Sequence, residues 1–208
     1  QNNKKVGYFY KPYLKAKNIF WNRLDLSEVD KMWFSKAEMD KYLLEKGDLL
    51  VCEGGEVGRS ALWNDELEEC YIQNSVHKVT FHNNEVSKFH YYYFYFLHSV
   101  HYFNSIVNQV SIAHLTKEKL INIPMFKLEQ EIQLKIKKYL DKKTAQIDSL
   151  IQNTKKSIEK YKKYKKSLIF EAVTGKIDLR YYEVEESEDS VEHDNARKTK
   201  RESLSKVN

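Results

Sequence analysis

The chain has 208 residues, 41% hydrophobic and 31% charged, which suits one domain with an appendage or two small domains and excludes wholesale disorder. Two cysteines, Cys52 and Cys70, exclude a disulfide scaffold, and the longest apolar run, Tyr91 to Leu97, is far too short to span a bilayer. The net charge of +5 is uneven: residues 1–126 hold 15 Lys and Arg against 15 acids, 127–180 hold 15 against 7, and 181–208 hold 5 against 8.

In chain order, Ser35-Lys36-Ala37-Glu38 reads as a capping box opening a short helix that stops at Gly47. Asp48 to Glu53 is an apolar strand closed by Gly54-Gly55, where the backbone turns. Arg59 to Trp63 and Cys70 to Phe81 read as further strands, the second with neither face cleanly apolar. Ser87 is the expected cap of an aromatic-rich helix running to about Asn104. Thr116 caps a short helix, and Ile121 to Phe126, interrupted by Pro124, reads as an edge strand.

From Leu128 to Val173 there is no proline and no glycine. A seam of heptad spacing runs through Ile147, Ile151, Thr154, Ile158, Tyr161, Lys165, Leu168 and Ala172, with Thr154 and Lys165 its weak positions. Gly175 stands where the helix should stop. A helix of this size, roughly 65–70 Å long, cannot bury its apolar stripe alone and needs a partner helix. Its basic excess attracts a polyanion, or simply solvates an exposed face. Glu183 to Asp194, followed by Arg197-Lys198-Thr199-Lys200-Arg201, reads as a disordered tail.

The fold class expected is therefore α+β: a mixed α/β domain over 1–126, one long coiled-coil-forming helix over 127–180, and a disordered acidic-then-basic tail over 181–208. With no signal peptide at the start, the chain reads as soluble and cytoplasmic.

Catalytic signatures are missing from the sequence. Gly175-Lys176 lacks the earlier glycine of a phosphate loop, and Gly54-Gly55-Glu56-Val57-Gly58 lacks dinucleotide spacing. Two prolines, Pro12 and Pro124, leave no Asx-Pro-Pro-aromatic loop. Asp141 and Lys143 are the one acid-to-lysine pair at nuclease spacing, and on a helix they point apart. His90, His98 and His101 would share a helix face, where zinc ligation and plain packing both explain them. Packing is the reading adopted, and no metal is expected.

Two segments resemble the specificity subunits of type I restriction-modification systems. One is Leu115-Thr116-Lys117-Glu118-Lys119-Leu120-Ile121-Asn122-Ile123-Pro124 with Leu128-Glu129-Gln130 opening the helix. The other is its end, Lys166-Ser167-Leu168-Ile169-Phe170-Glu171-Ala172-Val173-Thr174-Gly175-Lys176-Ile177-Asp178. Lys46 to Arg59 and Tyr71 to Lys78 also look like a target recognition domain of this family. The resemblance covers roughly residues 7–180. The sequence departs from the family in keeping only Pro124 where a double proline is usual, with Lys127 before Leu128. The start also lacks the first stretch of a recognition domain, which implies truncation.

The resemblance implies a non-catalytic subunit that reads half of a bipartite double-stranded DNA target. It also implies docking to methyltransferase and restriction subunits. S-adenosylmethionine, ATP and Mg would be held by those partners only, with no cofactor on this chain. The long helix would pair with itself or with another subunit half through Ile147, Ile151, Ile158, Tyr161 and Leu168, and act as a ruler between half-sites about 35 Å apart per DNA turn. Candidate DNA contacts are Lys11, Tyr13, Lys17, Asn22 and Arg23, in a polar, aromatic-rich segment expected to enter a groove as a loop, together with Arg59 after its glycines. Gln73 and His77 on one strand face and Lys78 on the other complete the set. Glu53 is read as a structural acid. The alternative function is a coiled-coil interaction protein that binds no DNA, and an enzyme with an unrecognised site stands third.

Overall fold

A computed structural model describes residues 6–82, 85–107 and 114–183. It is mixed α+β, with strands in the first part and one long helix after them. Its contacts form two compact units, Gln1–Gln146 and Ile147–Asn208.

In the first unit β1 (Tyr8–Leu14) lies between β4 (Asp30–Ser35), antiparallel to it, and β7 (Tyr71–Ile72), parallel to it. The run Tyr-Phe-Tyr-Lys-Pro-Tyr-Leu is rich in aromatic strand formers, and β7 joins only at Tyr13 and Leu14, so Pro12 sits where that side of β1 has no neighbour. The early segment is therefore a strand at Lys11 and Tyr13, not the groove-entering loop expected. Tyr13 packs with Phe34 and Tyr71 in a small core. Next come a 3-10 turn (Ala16–Asn18) and a hairpin of β2 (Ile19–Phe20) and β3 (Arg23–Leu24).

The second large sheet has β5 (Leu49–Cys52) between β6 (Ser60–Leu62) and β8 (Val76–Val79), antiparallel to both. All four β5 residues are buried because the strand is covered on both faces. Leu50 and Cys52 join a core with Leu14, Ile19, Trp63 and Ile72. Leu49 and Val51 join another with Phe94, Leu97, Phe103 and Leu115. The single strand expected from Cys70 to Phe81 is two, belonging to different sheets. The chain turns between them, with the Val76 N–H donating to the Gln73 carbonyl at 2.9 Å.

α1 (Lys36–Tyr42) opens on the expected capping box, the Ser35 hydroxyl accepting from the Glu38 N–H and the Glu38 carboxylate accepting from the Ser35 N–H. The aromatic helix is two helices rather than one. α2 (Ser87–Ser99) has Val86, not Ser87, as its N-cap, and α3 (Tyr102–Ile106) follows a break at His101, whose φ is +58°. α4 (Lys117–Ile121) is capped by Thr116, as read. The edge strand expected at Ile121–Phe126 is absent: Ile121 closes α4, and Ile123 turns into the core with its N–H on the Leu120 carbonyl. The Pro124 carbonyl accepts from the Tyr93 hydroxyl at 2.6 Å, which pins this irregular stretch without a strand partner.

α5 (Gln130–Val173) is a single uninterrupted helix. In the first unit its base is socketed by Gln133, which is 1% exposed. The Gln133 Oε1 accepts from the Val86 N–H at 2.9 Å, and Nε2 donates to Glu85 Oε2 at 2.6 Å and the Leu128 carbonyl at 2.9 Å. In the second unit the seam residues Ile147, Ile151, Ile158, Tyr161 and Leu168 stand exposed. Gly175, φ +71°, follows the helix end as expected. The tail lies outside the described residues from 184 onward. No helix among the described residues is long and apolar enough to cross a membrane.

Candidate nucleic-acid interface

Three loop segments meet beside the 3-10 turn of the first unit. Arg59 Nη2 donates to the Ala16 carbonyl at 2.9 Å, and the Ala16 N–H reaches the Ser75 hydroxyl at 3.4 Å. The Glu53 N–H donates to the Ser75 carbonyl at 3.1 Å. Residues 15–18, the hairpin, the glycine-rich loop 53–59 and the turn 73–75 thus share one edge. Backbone dominates this edge at Gly54 and Gly55, and polar side chains flank it.

The hairpin is clamped onto this edge through Glu56. Trp21, at its tip, donates Nε1–H to Glu56 Oε1 at 2.6 Å; the other carboxylate oxygen lies 3.3 Å from Arg59 Nη1, and His98 Nε2 is 3.2 Å away. The Trp21 ring packs edge-on to Tyr95 at 5.2 Å and against His98 at 4.8 Å. Phe20 lies between two guanidiniums, Arg23 at 4.5 Å and Arg59 at 5.4 Å from its centroid. Such stacking orients a guanidinium without removing its donors from solvent. Gly58 allows the loop to close: its φ is +82°, and a Cβ there would meet the Phe103 ring.

The expected contacts divide accordingly. Lys17, Asn22 and Arg23 are exposed on the shared edge, and Gln73 is half-buried in its turn. Lys17 is 3.4 Å from Asp30 and 3.7 Å from Glu28. Asn22, in the left-handed region at φ +56°, accepts from Lys88 Nζ. Arg59 is part of the clamp. Away from the edge, Lys11 pairs with Glu69 at 2.5 Å, and Tyr13 is 8% exposed in the core. His77 Nε2 sits against the Leu115 carbonyl, and Lys78 donates to the Leu43 carbonyl at 2.7 Å beside the buried Asp48. Gln73 and His77 do not share a strand face, since Gln73 precedes β8. The Glu53 backbone is held on both sides, its N–H on the Ser75 carbonyl and its carbonyl accepting from the Leu115 N–H, while its carboxylate lies 3.6 Å from His114 Nδ1.

Sequence reading missed Trp21, Glu56 and Phe20. A two-residue Trp-Asn tip carries none of the Asn-Gly signal that marks a hairpin, and the strands it joins are only two residues each. Of the histidines, His90 stacks on Phe81 at 4.3 Å while His98 packs on Trp21. No cluster of three or more metal-ligating side chains occurs among the described residues. Both cysteines are buried, and burial pushes the Cys70 thiol up to about 11, so neither is poised as a nucleophile.

The described part of the chain is thus a mixed α+β domain with loops converging on a polar edge, followed in sequence by one long helix. The family model for the type I restriction modification DNA specificity domain matches residues 1–160, and the chain belongs to that family. Its fold is similar to a chain in a structure described as the structural basis of complex assembly and conformational transition of the type I R-M system. The TM-score is 0.63 at 17% identity, covering 83% of this chain and 41% of that one. This chain therefore spans about two fifths of the length of the chain it matches. No curated protein matches it.

Proposed function

We propose that this chain reads one half of a bipartite double-stranded DNA target and performs no chemical step itself. The observation that carries the reading is the convergence, in a DNA specificity domain, of the hairpin, glycine loop and 73–75 turn on one polar edge. Arg23, Asn22, Lys17 and Gln73 are its base- and phosphate-facing groups, with Arg best suited to guanine and Asn or Gln to adenine. Arg59 and Glu56 are positioning residues that hold the hairpin.

In this reading methyltransferase subunits dock to the chain and supply S-adenosylmethionine chemistry. Restriction subunits supply ATP- and Mg-dependent work, and the complex acts in the cytoplasm. The exposed seam of α5 supports pairing with a second such helix, from another copy or another half-subunit. The test is a methylation map made by the purified chain with its methyltransferase subunits. Methylation confined to sites sharing one half-sequence is expected; methylation without sequence preference contradicts the reading.

A further inference from the structure

A small cleft of the first unit, between the hairpin tip and the starts of α2 and α5, gathers two cations against one carboxylate. It measures about 260 Å³ and is lined by Asn22, Leu62, Asn64, Lys88, Lys137 and Asp141. Lys88 enters from the first turn of α2, Lys137 and Asp141 from the early turns of α5, and Asn22 from the hairpin tip. Lys137 is paired with Asp141 at 2.7 Å, and the same carboxylate accepts from the Tyr92 hydroxyl at 2.8 Å. Lys88 has no carboxylate within ion-pair distance among the described residues. Its ammonium donates to the Asn22 side-chain carbonyl and lies 4.2 and 5.2 Å from the Tyr91 and Tyr92 ring centroids. Asn64 is committed to Glu66, 3.1 Å away.

Two ammonium groups thus face one carboxylate in a half-buried site, where an uncompensated charge is expensive. Burial holds the Lys88 ammonium below the usual lysine range; Asp141 opposes this and the charge of Lys137 adds to it. A neutral amide is a poor counter-ion for such a group, whereas a singly charged phosphodiester would neutralise the excess and offer two acceptor oxygens. The cleft includes the tip residue of the hairpin that carries Arg23, so a duplex read by that hairpin brings its backbone to this place.

We propose that this cleft binds a backbone phosphate of double-stranded DNA, with Lys88 and Lys137 as its charged contacts and the phosphate displacing Asn22 from Lys88. The inference rests on the reading of the chain as a DNA-binding domain. Phosphate contacts fix register without reading sequence. Released from Lys88, the Asn22 amide becomes available at the hairpin tip.

The test uses the full chain and a pool of randomised duplexes, with affinity followed against salt by fluorescence anisotropy. Lys88→Gln is expected to weaken binding to all sequences alike, about tenfold near 0.1 M salt, and to lower the slope of log affinity against log salt by about one. Lys137→Gln should act in the same direction, Lys88→Arg should restore the slope, and the sequence enriched from the pool should not change. Thermal melts of each variant check folding, and Lys137→Gln carries the test if Lys88→Gln does not fold. Wild-type slopes in both glutamine variants, with duplex binding intact, overturn the site and leave the DNA reading standing. Failure of the wild-type chain to bind any duplex overturns both. Thermal stabilisation by inorganic phosphate that is lost in Lys88→Gln, with an unchanged duplex slope, makes the ligand a free phosphate and overturns the DNA source.

Discussion

Glu56 binds Trp21, Arg59 and His98 at once, so the hairpin that carries Arg23 is held by one partly exposed carboxylate. Glu56→Ala should cost about 1 kcal/mol in urea melts and broaden the bases accepted in duplex selection, because the hairpin loses its anchor while Arg23 remains. Gly58→Ala should cost about 2–3 kcal/mol, since the new methyl group meets Phe103 in a backbone conformation that alanine resists. Three partly exposed carboxylates are among those that shape the acid response. Lys11, then Tyr71, hold Glu69 below the ordinary range; His90, then Gln133, do the same for Glu85. Burial raises Asp141, but Lys137 and the Tyr92 hydroxyl outweigh it and leave it lowered. Each folded value lies below the unfolded one. Their contribution is thus complete above about pH 4.5 and lost as pH falls through the folded values. A midpoint urea concentration that falls below pH 4.5, less steeply in Glu85→Gln, is the expected outcome.

At the scale of elements, a buried amide at the start of α2 and the Tyr92–Asp141 hydrogen bond join α2 to α5. Gln133→Leu leaves the Val86 N–H and the Leu128 carbonyl without their partner and takes one of two from Glu85, which keeps His90, and should cost about 2–3 kcal/mol with an unchanged denaturant slope. This socket was not legible in the sequence, where Gln133 is one polar residue in a polar helix; only the fold brings Glu85 and Val86 beside it. The capping box of α1, the Thr116 cap, the glycine stop after α5 and the buried β5 were legible, because each is set by neighbours a few residues away. The edge strand at 121–126 and the unbroken aromatic helix were misread for the opposite reason. Pro124 is pinned by Tyr93, 31 positions away, and the break at His101 lies among the aromatic packing of α2 and α3. At the candidate interface Asn22, Arg23 and Lys17 were legible as residue types. Their separation from Tyr13, Lys78 and His77 required knowing which strands are covered.

For the whole molecule, the exposed seam of α5 predicts association. Ile147 and Ile158 are 54% and 47% exposed, apolar side chains at heptad spacing that pairing would remove from water. Self-pairing gives a particle of twice 24.9 kDa by light scattering. Ile151→Lys with Ile158→Lys should return it to the single-chain mass without changing the fold of the first unit. A self-paired chain would read a palindromic split target, whereas pairing with a different half would read an asymmetric one. Whether the loop edge of the first unit reads DNA sequence is tested by selection from randomised duplexes with the wild-type chain and with Arg23→Ala. The wild type should enrich one short motif, and Arg23→Ala should relax one position of it. No enrichment by the wild type, or an identical motif in the variant, would contradict sequence reading by this edge.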